Sequence, residues 1–297
     1  MEANRRTLLR TIAGVAAGAT AAPLAEARPA HEPAPDATGL LYDATRCIGC
    51  KACMTACKEV NNLTADPVSR GGLYDDPITL SAYAKTVVKS TWREGANAYV
   101  KSQCMHCIDP ACVNACMIGA LKKRAHGAVT WDGSRCIGCR YCAVVCPFDV
   151  PKFEWASAFP KLVKCELCAP LVAKGEIPAC ARVCPRGATV YGKYSDLLKD
   201  AHSRLKTQPD RYFPKVYGEH DGGGTQVLYL SKADVSFEEL GLPALGDAPV
   251  PEVQRSVQEG IYRGFIAPLS LYAGMAVVLW KRRRADKAGH EGKEEKA

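Results

Sequence analysis

The chain has 297 residues, 47% of them hydrophobic and 24% charged, with a formal net charge of +8. This balance excludes a disordered polymer and a polytopic membrane protein, and the length corresponds to about two ordinary domains. The positive charge alone would suit nucleic-acid binding. It comes with neither stacking aromatic residues nor a basic stripe, so we expect no nucleic-acid partner.

The N-terminus has the three parts of a secretory signal peptide. Arg5 and Arg6 belong to a basic segment, a weakly apolar stretch rich in Ala and Gly follows, and Ala-Glu-Ala at residues 25–27 fits a cleavage site. The arginine pair resembles a twin-arginine signal, which implies export of the folded protein by the twin-arginine machinery. A frayed basic N-terminus would not explain this ordered pattern. We therefore predict a signal peptide over residues 1–27 and a flexible Pro/Ala-rich linker over residues 28–39.

The sixteen cysteines fall into four groups of four, and none is left over. We number these quartets in chain order: Cys47, Cys50, Cys53 and Cys57; Cys104, Cys107, Cys112 and Cys116; Cys136, Cys139, Cys142 and Cys146; and Cys165, Cys168, Cys180 and Cys184. The third quartet has the Cys-x2-Cys-x2-Cys-x3-Cys-Pro run of bacterial two-cluster ferredoxins. The first shares this spacing without the proline, and the second and fourth insert residues between their second and third cysteines.

This spacing is typical of [4Fe-4S] clusters. Two residues between successive cysteines let three thiolates converge on one cubane cluster, and the fourth cysteine begins a helix that points away and binds a different cluster. A disulfide scaffold or a set of zinc ribbons would not explain four such quartets. The sequence offers no clear nucleophile or acid–base pair, so we predict no catalytic residues and a protein that is not an enzyme by itself.

Weaker patterns predict the elements around the quartets. Short strands are expected at residues 86–88, 99–100, 128–131 and 189–191. Ser195 fits the N-cap of a helix that runs to about Lys206.

Two motifs have a structural interpretation rather than a functional one. His106 lies between cysteines, but four thiolates per cluster are already available, so we do not expect it to be a ligand. Residues 222–224 are three glycines without the Lys-Ser/Thr of a phosphate loop, and they predict a tight turn.

The C-terminal region predicts a membrane anchor. Residues 231–260 gather prolines and suit a tether. Residues 264–280 carry no charge, and their length of about 26 Å as a helix becomes sufficient for a bilayer core when the span is extended to residues 261–280. The basic tail of residues 281–297 begins with Lys-Arg-Arg-Arg, which predicts a cytoplasmic C-terminus and an external body. The alternative is a buried core helix.

Several passages extend this reading to a family. They are residues 41–47 (Leu-Tyr-Asp-Ala-Thr-Arg-Cys), 103–107 (Gln-Cys-Met-His-Cys), 164–168 (Lys-Cys-Glu-Leu-Cys) and 217–228. With the order of the quartets, they make the chain resemble the four-cluster ferredoxin-like subunits of membrane oxidoreductases. Within that group it is similar to the iron–sulfur subunits of membrane-bound nickel–iron hydrogenase 2. Met117 departs from the pattern, because many relatives have proline there.

The resemblance implies an α+β fold with two pseudo-symmetric tandem ferredoxin-like domains and long insertions over residues 40–230, followed by one C-terminal transmembrane helix. Some relatives replace one cysteine with tryptophan, whereas here every position is cysteine, which implies four [4Fe-4S] clusters. The ligand sets implied by the resemblance pair the first quartet with the fourth and the second with the third. Set one is Cys47, Cys50, Cys53 and Cys184; set two is Cys57, Cys165, Cys168 and Cys180; set three is Cys104, Cys107, Cys112 and Cys146; and set four is Cys116, Cys136, Cys139 and Cys142.

The same resemblance implies a role and a place. The chain would relay electrons between the small and large subunits of a periplasmic nickel–iron hydrogenase and an integral membrane subunit that reacts with quinone. It would lie on the periplasmic side of the bacterial inner membrane, with its N-terminus outside and its C-terminus inside. The alternative is the same relay in a molybdenum-dependent formate dehydrogenase, although subunits of that type generally lack their own leader. A structural anchor without electron transfer would not need four clusters.

Overall fold

A computed structural model describes residues 32–66, 77–93, 96–155, 157, 160–251, 264, 268–281 and 283–284. The predicted signal peptide lies outside the described residues, as does most of the predicted basic tail. The chain divides into two compact units, one formed by Ala30–Pro251 and the other by Met1–Pro29 with Glu252–Ala297. The first unit holds all sixteen cysteines.

The described part of the first unit mixes short strands and helices, as expected for an α+β fold. The strands are β1 (Thr38–Asp43), β2 (Val87–Arg93), β3 (Ala96–Ser102), β4 (Leu121–Lys123), β5 (Val129–Trp131), β6 (Lys152–Phe153), β7 (Leu162–Val163), β8 (Thr189–Lys193) and β9 (Val227–Leu230). The helices are α1 (Ala52–Val60), α2 (Ala111–Asn114), α3 (Tyr141–Val144), α4 (Ala169–Val172), α5 (Ala179–Arg182) and α6 (Tyr194–Thr207). The four short strands expected from the sequence coincide with β2, β3, β5 and β8.

A three-stranded sheet in the order β8-β1-β9 organises the first unit. The central strand β1 pairs antiparallel with β8, so that Leu41 lies opposite Val190. It pairs parallel with β9, so that Leu41 also lies opposite Leu228. Five of its six residues are buried, because α6 covers one face of the sheet and the main core covers the other. A strand covered on both faces is apolar along its length, which explains the Leu-Leu-Tyr run.

Helix α6 begins two residues earlier than expected. Lys193 rather than Ser195 occupies the N-cap position, so the predicted N-cap is wrong. The reason is that β8 runs directly into the helix, and the backbone N–H of Tyr194 is already satisfied by the carbonyl of Ala37 at 2.8 Å. The Ser195 hydroxyl instead lies 3.5 Å from Asp196.

The predicted tether is packed over its first part. Val235, Phe237 and Leu240 are buried in the main core beside the sheet. The Tyr217 hydroxyl donates a hydrogen bond of 2.7 Å to the carbonyl of Pro243. The prediction of a tether from residue 231 is therefore wrong up to about this point, because apolar residues between the prolines bury against the body. Residues 252–260 lie outside the described residues.

The remaining strands form three two-stranded ribbons, which are β2-β3, β4-β5 and β6-β7. The predicted glycine turn is present, since Gly222, Gly223 and Gly224 have φ values of 63°, 82° and 86°. Side chains other than glycine rarely adopt this left-handed region.

In the second unit, residues 268–281 are helical and their side chains are exposed. Among the described residues, no helix is both long enough and apolar enough to span a membrane. The predicted span of residues 261–280 is described only at residue 264 and from residue 268 onward.

Candidate functional site

The cysteine loops are built by residues in left-handed backbone conformations. In the first quartet, Gly49 and Lys51 have φ values of 69° and 57°, and in the third quartet the corresponding Gly138 and Arg140 have 70° and 64°. The turn draws successive cysteines toward one point just before a short helix starts. A Cβ at Gly49 would lie 2.4 Å from the Tyr99 ring, so glycine is required there by space as well as by conformation. The matching turns show that the two loops share one design.

Set one lines a cavity in the first unit. Three of its cysteines come from the first quartet, while Cys184 comes from the end of the fourth, because α1 packs against α5. Cys184 also accepts a hydrogen bond from the backbone N–H of Ala188 at 3.2 Å. Burial raises the pKa of the Cys53 thiol to about 11.

Set two lines a separate cavity. Here Cys57 is the member that comes from the first quartet, and the other three belong to the fourth. Burial raises the pKa of the Cys57 thiol to about 12 and also raises that of Cys165. The Cys165 sulfur accepts a hydrogen bond of 3.4 Å from the backbone N–H of Leu167.

Sets three and four are grouped by the charges that act on their thiols. The pKa of Cys107 is raised by burial and then by the thiols of Cys104, Cys112 and Cys146. In set four, burial and then the thiols of Cys139, Cys136 and Cys116 raise the pKa of Cys142 to about 12. Two cavities thus collect the cysteines of sets one and two, and electrostatic interactions connect the members of sets three and four, while ligation of a cluster by each set stays a prediction.

Electrostatic interactions between thiols connect the sets in the order one, two, three and four, and we call this order the row. Electrostatic interactions link Cys53 of set one with Cys180 of set two. They link Cys165 of set two with Cys104 of set three, and Cys112 of set three with Cys142 of set four. At the two ends of the row, set one has the exposed Cys50 and set four has the exposed Cys139. The remaining cysteines are buried or half-buried.

The donor set fits iron–sulfur clusters. All sixteen cysteines are free thiols. Burial raises the pKa of many of these thiols, so their thiolate forms need a nearby positive charge. A coordinated metal supplies that charge, and a thiol that binds it is deprotonated outright. Within the described residues, no three His, Cys, Asp or Glu side chains lie close enough to hold one metal ion. A cubane cluster makes a different demand, since each thiolate binds a separate iron at a corner of the cube.

Two buried lysines, Lys101 and Lys164, accompany the cysteines. Burial lowers the pKa of Lys101, but the thiols of Cys180, Cys53 and Cys165 raise it by more, so the net shift of this pKa is upward. Lys164 is buried and donates to the carbonyl of Cys165 at 2.9 Å.

Sequence reasoning missed the contacts of Lys123 and the burial of Gln103 beside the cysteines. Burial lowers the pKa of Lys123 to about 8, and its ammonium donates to the carbonyls of His106 and Cys107 at 2.9 Å. Its position two residues after the buried Leu121 in a strand, and so on the same face, was the available signal. Gln103 is only 3% exposed. No pattern in the sequence distinguished it.

His106 is fully buried and has a structural contact. Its Nδ1 accepts a hydrogen bond from the backbone N–H of Val129 at 3.0 Å. Burial holds its pKa well below the usual range, so the ring is neutral. That nitrogen is already engaged by the ribbon β4-β5 and is not available to iron.

Comparison with known proteins gives the family. Residues 96–194, which contain quartets two, three and four, match the 4Fe-4S dicluster domain. The chain is 36% identical to the hydrogenase-2 operon protein HybA of Escherichia coli O157:H7 over 304 aligned residues, which cover 90% of each chain. The chain belongs to the HybA family of iron–sulfur proteins. The resemblance recognised in the sequence is confirmed.

Iron–sulfur subunits of formate dehydrogenases are related to the chain as well. The subunit of the nitrate-inducible enzyme of Escherichia coli K12 is 36% identical over 238 residues, which cover 77% of this chain and 78% of that protein. The subunit of Haemophilus influenzae is 36% identical over 212 residues, which cover 68% and 67%. Membership of this family makes the chain an iron–sulfur electron-transfer subunit of an oxidoreductase complex and not a catalytic subunit.

Proposed function

We propose that the protein relays electrons through four [4Fe-4S] clusters, held by sets one to four, between a nickel–iron hydrogenase and a membrane subunit that reacts with quinone. The observation that carries this proposal is the row of cysteine sets with one exposed cysteine at each end. When bound, the clusters supply one-electron redox chemistry. The chain itself holds them in order, buries the inner sets and leaves both ends within reach of partner proteins.

The proposed catalytic partner is the small and large subunit pair of a periplasmic nickel–iron hydrogenase. Similarity to HybA over 90% of both chains supports it. The related formate dehydrogenase subunits, which align over a smaller share of this chain, support a second candidate. In that case the same relay would serve a molybdenum-dependent formate dehydrogenase.

We further propose that the protein is exported by the twin-arginine machinery and anchored to the inner membrane with its body in the periplasm. The Arg5-Arg6 pair and the uncharged residues 264–280 support this. Large apolar side chains of the C-terminal helix are exposed within its unit, including Leu269, Tyr272 and Leu279. Exposed apolar surface of this kind marks a site of contact with a membrane or another protein.

The test compares the full chain with a chain truncated after Gly260. The body Ala30–Pro251 is a compact unit of its own, so we expect the truncated protein to fold and bind clusters. Both proteins should contain about sixteen irons per chain and show coupled cluster signals on reduction. Cell fractionation should find the full chain in the membrane and the truncated chain in the soluble periplasmic fraction. Hydrogen oxidation with a soluble dye should persist, while hydrogen-to-quinone turnover should fall sharply.

Stoichiometric zinc with little iron in anaerobically prepared protein would contradict the relay. Truncated protein that still sediments with membranes and supports full quinone reduction would contradict the anchor. Formate-dependent rather than hydrogen-dependent reduction of the clusters in the native complex would favour the second candidate.

A further inference from the structure

A buried lysine fixes the orientation of a buried amide beside set two. The ammonium of Lys101, at the end of β3, donates a hydrogen bond to Oε1 of Gln103. Lys101 is fully buried. Because an ammonium can only donate, the amide oxygen must face Lys101 and the NH2 group must face away from it.

The NH2 group of Gln103 is left without an acceptor. Its Nε2 atom is buried, and it has no hydrogen-bond partner among the described residues. Gln103 also lines the cavity that holds the four thiols of set two, which are Cys57, Cys165, Cys168 and Cys180. Native proteins seldom bury a donor without an acceptor, so an unsatisfied amide at a ligand cavity indicates that the ligand supplies one.

The positive charge of Lys101 also acts on the cysteines of set two. The Lys101 ammonium interacts electrostatically with the thiols of Cys180, Cys53 and Cys165 and with the Tyr229 phenol, and none of these groups is a carboxylate. Two of the three thiols belong to set two and one belongs to set one. A charge that is fully removed from solvent is weakly screened, so it acts strongly on neighbouring groups.

We propose that Gln103 donates a hydrogen bond from Nε2 to a sulfur of the cluster held by set two, and that Lys101 positions this amide and makes that cluster easier to reduce. This inference rests on the proposed function, because it requires the clusters. Reduction adds one electron to the cluster with no bond made or broken. Hydrogen bonds to cluster sulfurs and nearby positive charge stabilise the more negative reduced state, which raises the reduction potential.

The experiment is a redox titration of the purified full-length protein, followed by electron paramagnetic resonance. In Gln103→Met, the midpoint potential of one cluster should fall by at least about 59 mV. For one electron, this shift is a tenfold change in the reduction equilibrium constant. In Lys101→Met, the midpoints of two clusters should fall, because the charge faces set one as well as set two. Lys101→Arg should recover most of the shift, since it keeps the charge.

Two matched controls remove the same chemical groups from exposed positions. Lys89→Met removes a solvent-exposed ammonium from β2, the strand paired with β3, and Gln208→Met removes an exposed amide at the end of α6. Both variants should change the reduction equilibrium constant of every cluster by no more than about twofold, because water screens exposed charge.

A second measurement compares the reduced original protein with Gln103→Met. In the reduced original protein, a proton that exchanges in deuterated water should couple magnetically to one cluster, and this coupling should be missing in Gln103→Met. Absence of the exchangeable coupling, or unchanged midpoints in Gln103→Met at full iron content, would overturn the inference. If Gln103→Met does not bind clusters, Gln103→Glu offers a similar shape with no donor, and it should lower the same midpoint. If neither variant loads, the coupling in the original protein decides, whereas lack of clusters in the original protein overturns the proposed function instead.

Discussion

The inner sets, two and three, and the outer sets, one and four, are made from the same cysteine loops in different surroundings. Each outer set has one exposed cysteine, whereas every cysteine of the inner sets is buried or half-buried. Spacing along the chain therefore decides where four thiols can meet. The packing around each loop decides how far those thiols lie from solvent.

The charges around the sets differ too. The buried Lys101 acts on thiols of set two and on Cys53 of set one, and the half-buried Lys123 acts on thiols of set three. In set four, the charges that act most strongly on Cys142 are those of other thiols. Exposed apolar side chains lie beside the loops of set four, such as Ile137 at 70% and Val144 at 79% exposure. One loop design thus gives buried, charge-compensated sites inside the row and accessible sites at its ends.

The largest expected effect is loss of whole clusters when the pairing of the quartets is broken. Cys184→Ser and Cys47→Ser remove members of set one from two different quartets, so each should cost about four irons per chain. The double variant should lose no more than either single variant, because both substitutions remove the same cluster. Cys184→Ser combined with Cys165→Ser should instead lose about eight irons, since these two cysteines of the fourth quartet serve different sets.

Iron analysis with spin counting of the reduced protein measures this effect. Pro185→Ala, next to Cys184, is the control, and it should keep all of the iron. If Cys184→Ser with Cys165→Ser lost only four irons, each quartet would close on its own cluster and the comparison between inner and outer sets would fail.

The sequence predicted the cysteine loops and the strands between them better than it predicted their surroundings. Cysteine spacing is a local pattern, so the quartets and the strands between them could be read directly from the chain. The contacts of Lys123 depend on residues far away in sequence, such as Gln226, whose Oε1 accepts a hydrogen bond from Lys123. The sequence did not predict the burial of Phe237 either, because the prolines that follow it resemble those of a free tether. Partners that are distant in sequence leave no periodic signal.

The second effect concerns the sheet that supports set one. Asp43 ends β1 just before Cys47, is 1% exposed, and accepts hydrogen bonds of 2.9 Å from Arg204 and from the Tyr212 hydroxyl. Asp43→Asn removes the buried anion of the Asp43–Arg204 ion pair, which should lower the free energy of unfolding by about 3 kcal/mol. For a body of this size, the apparent thermal midpoint should fall by about 6 to 12 °C.

Thermal unfolding followed by circular dichroism, alongside the visible absorbance of the clusters, measures this change. Asp200→Asn is the matched control, because Asp200 also pairs with Arg204 but is 42% exposed. It should cost about 0.5 kcal/mol. An equal effect of the two substitutions would show that burial of Asp43 does not support the loop of set one.

The smallest expected effect is a difference in the rate at which clusters are lost to an oxidant. Ferricyanide with an iron chelator should remove iron in two phases, with about half of it in the fast phase, because Cys50 and Cys139 expose only the two outer sets. The inner sets require local opening of the body, and an opening free energy of about 1.4 kcal/mol already slows attack tenfold. Iron release and spin counts over time should therefore separate two pairs of clusters. The same protein unfolded in guanidinium is the control and should lose its iron in one phase. A single phase in the folded protein would mean that the inner cysteines are as accessible as the outer ones, and that burial does not separate the two regions.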